Sequence, residues 1–264
     1  MVMEFSMTTD AYDLNKPIDE RLEHFSSAGF TYIHWSEHWT SNMFYTEAYA
    51  GHVAQMAERC GIRIQNVHGV SRIDRDRPFT AHQWHELNAN RIRFISWLGG
   101  DSIVVHLPLA HCDHLFDSER DQSEKLIELL LPEAQRFGVR LAIENIEARH
   151  CVRLFDHLFR IYPPEDLGFC FDSGHANVTG EMDILERYLD RLIMTHLHDN
   201  HGRADEHLLP GQGAINWKPI IQTLKKRPDL PCLNLEVVWP GTVPKEKWCG
   251  EAYHSIAQLW AENE

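Results

Sequence analysis

Seven times along the chain, a short apolar run ends on or runs into a side chain that can ligate a metal or carry a proton. Glu37 follows YIHW, His68 ends IRIQNVH, His106 follows SIVV, and Glu144 ends RLAIE. Asp172 ends GFCFD, with His175 three residues on; His196 ends IMTH, with His198 and Asp199 just beyond; Glu236 follows LNL. A lone histidine in such a run is ordinarily a hydrogen-bonded core residue. A carboxylate is harder to place, because burying it unpaired costs several kcal/mol. Glu144 and Glu236 therefore each need a cation, either an arginine or a metal. Arg140, Arg149 and Arg153 lie near Glu144 in sequence, whereas nothing basic lies near Glu236. A single site accounts for the whole series, while independent core placements would each need a reason of their own. Imidazoles and carboxylates without a thiolate favour Zn²⁺, Mn²⁺, Co²⁺ or Fe²⁺ in a catalytic site with open positions, rather than structural zinc or copper(I).

The elements that carry these residues alternate. Apolar, β-like runs predict strands over 3–8, 32–35, 62–68, 102–107, 140–146, 168–172, 193–197 and 233–237. Segments of helical period lie between them, over 18–27, 43–59, 81–98, 118–137, 154–162, 182–189 and 217–226, and a last one over 246–261 closes the chain. Gly29, Gly61, Gly99–Gly100 and Gly138 stand where helices should stop. Eight strand–helix units, in a chain of 264 residues, predict a single α/β domain over 1–264, a (β/α)₈ TIM barrel. An open doubly wound sheet shares the alternation, but its G-x-G-x-x-G fingerprint is absent after the first strand. In a barrel, the C-terminal strand ends are where active sites are built.

The formal net charge of −14 disfavours nucleic acid and anionic membranes as partners. The six cysteines are scattered, with no C-x-x-C pair, and read as reduced thiols. No apolar run approaches the roughly 18 residues of a membrane span, and the N-terminus lacks an export pattern, so a soluble, cytoplasmic protein is expected. Three loops leave alternatives open. Arg72, Arg75 and Arg77 in SRIDRDRPF either hold a substrate phosphate or carboxylate, or neutralise Asp74 and Asp76 on the surface. HWSEHW (His34 to Trp39) places either sugar-stacking aromatics or core material beside Glu37. Asp205 and His207 in DEHLLPGQGAINW either cap a tight turn or return over the barrel mouth. His111 and His114 read as ordinary loop residues.

In IEN (143–145), FDSGHAN (171–177), HLHDN (196–200), DEHLLPGQGAINW (205–217) and LEV (235–237), the sequence resembles the xylose-isomerase-like barrel superfamily. The similarity runs over nearly the whole chain. That superfamily holds sugar and sugar-phosphate isomerases and epimerases, and also metal-dependent apurinic endonucleases. The resemblance implies a four-ligand metal centre at Glu144, Asp172, His196 and Glu236, with the two glutamates as acid and base and His175 in contact with substrate. The endonuclease branch adds a second and third metal, implying His68, His106, His175, Asp205 and His207 as further ligands. One to three ions of Zn, Mn or Co are thus implied. His198 competes with His196 as the strand-7 ligand, and Glu37, Arg72, His175 and His198 are candidate substrate contacts.

Two activities follow from the resemblance. One is a metal-dependent isomerase or epimerase acting on a small sugar or sugar phosphate, with dehydration of a keto-inositol as a variant. The other is a multinuclear zinc phosphodiesterase, against which the charge balance of 39 acidic to 25 basic residues speaks. A binding protein without catalysis is a third reading, disfavoured because every expected acid/base residue is present. A homo-oligomer is left open.

Overall fold

The computed structural model describes residues 3–11, 17–71, 80–108, 113–147 and 150–263. Strands and helices alternate as β1 (Phe5–Thr8), α1 (Ile18–Ala28), β2 (Tyr32–Trp35), α2 (Glu47–Arg59), β3 (Arg63–His68), α3 (Ala81–Trp97), β4 (Ser102–Val105) and α4 (Phe116–Phe137). The second half runs β5 (Arg140–Glu144), α5 (Cys151–Ile161), β6 (Leu167–Asp172), α6 (Ser173–Thr179), α7 (Ile184–Arg187), β7 (Leu192–His196), α8 (Trp217–Leu224), β8 (Leu233–Leu235) and α9 (Lys245–Glu262). All strand pairs are parallel, in the order β7-β6-β5-β4-β3-β2-β1-β8. Leu197 bridges Leu235, and the Leu197 and Glu236 amides donate across the seam to Asn234 and Leu197, closing the barrel.

The expected strands are all present. The helical segments depart most from expectation in three places. The helix expected from Met43 begins at Glu47, because Asn90 on α3 holds the Tyr45 backbone at both N–H and C=O, and Thr46 then caps the first turn. Over 182–189 only Ile184–Arg187 is α-helical, followed by a 3₁₀ turn at Leu189–Arg191. The short helix α6 is an addition: the Asp172 carboxylate accepts from the His175 amide and starts a helix directly at the strand end. Gly29 and Gly138 close α1 and α4 in the left-handed region, at φ 112° and 65°.

Successive strand residues point to opposite faces of the wall. One face meets the helices and forms the large outer core, with Ile33, Ile103, Leu141, Ile143, Phe169, Phe171 and Leu235 in it. The inner face is separate: Val104, Ala142, Cys170, Ile193 and Met194 pack inside the barrel. The residues above them in the same phase are those that the strand ends deliver to the mouth. Among the described residues, no helix is long and apolar enough to cross a membrane.

Candidate metal centre

Four strand ends converge on one point. A ligand atom from each of Glu144, Asp172, His196 and Glu236 lies within 4.8 Å of the others. His196 is central: its Nδ1 stands 3.3 Å from Glu144 Oε1 and 3.1 Å from Glu236 Oε2. On the far side of Glu144, His106 Nε2 lies 2.8 Å from Oε2. His68 donates Nδ1–H to the Gly69 carbonyl at 2.7 Å, which leaves its Nε2 as the free ligand atom. His68, Glu144 and His196 also gather ligand atoms within 4.8 Å.

A second cluster closes over the first. Asp205 Oδ2 lies 2.7 Å from His207 Nε2 and 3.5 Å from His175 Nε2, and His207 Nδ1 donates to the Glu236 carbonyl. The loop therefore returns over the mouth, and Asp205 and His207 do more than cap a turn. What folds the loop back is Asp199. Its fully buried carboxylate accepts from the amides of Asn200, Gly211 and Ile215 and from the Trp217 indole.

His198 belongs to this second group. Its Nε2 contacts Asp172 at 3.1 Å and Asp205 at 3.4 Å, and its ring stacks on His207 with centroids 4.1 Å apart. The ring fits because residue 174 is glycine: a Cβ there would stand 1.8 Å from the imidazole. His196, not His198, thus faces both glutamates.

The charge balance shows what the cluster lacks. Of the arginines near Glu144 in sequence, Arg140 faces Asp101 and Arg153 lies over the Phe116 ring, while Arg149 falls outside the described residues. No Lys or Arg is among the described residues lining the cavity, whose volume is about 200 Å³. Burial pushes the Glu144 carboxyl up, but the imidazoles of His196 and His106 outweigh it and hold it well below the carboxylate range. Glu236 is likewise held low against its burial, chiefly by His196. Burial resists a proton on His207, yet the bond to Asp205 and the charge of Glu236 lift it to about 10. His175 and His196 are raised against burial as well, by Asp172 and Asp205 at His175 and by Cys170, Glu236 and Glu144 at His196. Burial holds His68 down at about 4, with His106 adding to the effect.

Protons on the imidazoles thus supply the positive charge that the carboxylates demand. A divalent cation would meet the same demand and would also take up His196 Nδ1, the buried nitrogen that faces both glutamates without a hydrogen-bond partner. The oxygen and nitrogen donor set, free of thiolate, fits such an ion.

The cavity is lined by His68, His106, Glu144, His175, Asp205, His207 and Glu236, together with Thr8, Asp10, Trp39, Val237 and Val238. Trp39 presents its ring beside His68 and His106, with centroids 5.1 and 6.4 Å away. Asp10 is a site residue that the sequence reading passes over. It accepts from Thr8 and Ser36, and its signal is weak: a carboxylate two residues beyond the end of β1, in the inward phase. Glu37 is not brought to the cavity. Arg21 on α1 grips both its oxygens, at 2.6 and 2.9 Å, in a buried ion pair. Arg72, with Arg75 and Arg77, lies outside the described residues.

A family model described as xylose isomerase-like TIM barrel matches residues 22–259. An uncharacterized protein, y4fM of Sinorhizobium fredii, is 29% identical over 90% of this chain and 88% of its own length. The inosose dehydratase of Lacticaseibacillus casei is 26% identical over 43% of this chain and 45% of its own. Among solved structures, the D-psicose 3-epimerase of Clostridium cellulolyticum H10 with D-tagatose superimposes with a TM-score of 0.78 at 13% identity, over 99% of this chain and 100% of that one. The IolI protein with a bound zinc atom gives 0.77 at 16% identity, over 99% of each chain. The chain belongs to the xylose isomerase-like TIM barrel family.

Proposed function

We propose that this family member is a divalent-metal-dependent isomerase or epimerase of a small sugar or sugar phosphate. The observation that carries this reading is the meeting of two carboxylates, Glu144 and Glu236, at 3.3 and 3.1 Å from the same nitrogen of His196, with a ligand atom of Asp172 within 4.8 Å. These four residues would hold one ion, of Zn, Mn or Co. When bound, the ion would polarise a substrate carbonyl and its neighbouring hydroxyl, making the C–H beside them acidic. The protein's own groups do the rest. One glutamate takes the C–H proton, and the same or the opposite glutamate returns a proton. Return to the neighbouring carbon isomerises the sugar; return to the other face of the same carbon epimerises it. His175 would bond a substrate hydroxyl, and Trp39 offers a ring face to the sugar. Loss of a β-hydroxyl after the same proton removal would give a dehydratase, a variant supported by the dehydratase relative. A cytoplasmic setting is supported by Cys60, Cys170 and Cys232, which form no disulfide among the described residues.

One observation favours a second reading. His68, His106, His175, Asp205 and His207 all line the same cavity, which suits a two- or three-metal phosphodiesterase. The net charge of −14 and a lining without a described Lys or Arg weigh against a polyanionic substrate.

Metal-loaded protein incubated in D₂O with a panel of ketoses and their phosphates separates the two. Solvent deuterium is expected at the carbon next to the carbonyl of at least one of them. Hydrolysis of bis(p-nitrophenyl) phosphate with no deuterium incorporated anywhere would replace the isomerase reading with the phosphodiesterase.

A further inference from the structure

Beneath the proposed ligands lies a buried imidazole that neither reading uses. His34, on β2, is fully buried (0% exposed), and its Nδ1 stands 2.7 Å from Asn66 Oδ1. An amide oxygen can only accept, so Nδ1 carries the ring proton and Nε2 keeps a lone pair. That Nε2 is buried and has no hydrogen-bond partner. The His34 ring is in edge contact with His196, with centroids 4.9 Å apart and planes at 75°. Because His196 Nδ1 faces Glu144 and Glu236, its Nε2 is turned away from them, and this atom too is buried without a partner. A lone pair lacking a donor and an N–H lacking an acceptor therefore sit on two rings in contact.

We infer that His34, backed by Asn66, is the outer-sphere partner of His196. His34 Nε2 accepts the His196 Nε2–H, directly or through one buried water, and so fixes the tautomer that turns Nδ1 toward the glutamates. His34 is a positioning residue: it touches neither substrate nor ion. The inference rests on the metal reading above, since a ligating imidazole ordinarily donates its other N–H in this manner. The Cys170 thiol also lies against His196, but sulfur is the weaker acceptor.

The test reads Co²⁺ affinity by competition with a chromophoric chelator. His34→Phe fills the same space without a lone pair and is expected to weaken binding by about 10- to 100-fold. His34→Gln restores an oxygen acceptor and should recover part of that loss, while Cys170→Ala should bind as the parent does. Independently, ¹⁵N NMR of the metal-free parent should find His34 protonated at Nδ1 and bare at Nε2. Parent-like affinity in His34→Phe, a loss confined to Cys170→Ala, or a proton on His34 Nε2 would each overturn the inference. If His34→Phe does not fold, the tautomer spectrum decides alone. A parent protein that binds no Co²⁺ at all would sink the metal reading instead, and the spectrum would still judge the contact.

Discussion

Below the mouth of the barrel, the inward side chains of β4 to β7 are Val104, Ala142, Cys170 and Met194, whereas those of β8, β1, β2 and β3 are Asn234, Ser6, His34 and Asn66. The first set packs as a small apolar cluster. The second is joined by side-chain hydrogen bonds, Ser6 to Asn234 and His34 to Asn66. Glu144 and Asp172 stand on the dry half, where the apolar side chains beneath offer no hydrogen bond, so their compensation comes from above: the imidazoles of His106, His196 and His198 and, for Asp172, the His175 amide. His196 leans on the polar half through His34. One side of the floor thus makes charge expensive and sharpens the demand for a metal. The other side is where the proposed ligand His196 meets a hydrogen-bonded imidazole, His34.

The largest expected effect comes from removing charge above the dry half. Glu144→Gln should lower turnover by about 10²- to 10⁴-fold and release the metal, as read by steady-state kinetics and metal analysis of the same sample. Glu236→Gln should do the same from the polar side, and full activity in either variant would break the assignment of acid and base. A second change leaves the centre intact. Glu37→Gln strands the buried Arg21 and should cost about 3–5 kcal/mol in denaturant unfolding, with KM unchanged in whatever protein remains folded. A rise in KM without loss of stability would return Glu37 to the substrate. The third probes the dry floor itself. Met194→Ala should cost about 2–5 kcal/mol through its cavity while Co²⁺ affinity stays at the parent value, the reverse of the pattern set by His34→Phe. Equal loss of affinity in both variants would erase the distinction between the two halves.

Much of this was legible in the sequence because a strand's period of two is easily read. A ligand at a strand end and a polar or apolar residue two positions before it share a face, so IVVH, LAIE, CFD and MTH already describe the dry half. The barrel itself followed from eight repeats of the same alternation. What the sequence hid depended on contacts between distant segments. Glu37 looked like a site residue because Arg21, its partner, lies 16 residues earlier on a helix and carries no local mark. Asp10 was hidden by the opposite problem: it follows a hydroxyl-rich strand end rather than an apolar one. The two histidines of HLHDN were indistinguishable by spacing, and the space left by Gly174 separates their roles in three dimensions. Helix α6 escaped notice because its cap is the same Asp172 that marks the end of a strand.

The central claim is that Glu144, Asp172, His196 and Glu236 form a metal centre. Its most direct test is the metal content per chain of protein purified without added metal, then dialysed against Zn²⁺, Mn²⁺ or Co²⁺ and desalted. The parent is expected to retain at least one equivalent and Glu236→Gln to lose it. A parent protein that folds normally yet retains no stoichiometric metal under any of these conditions would contradict the claim.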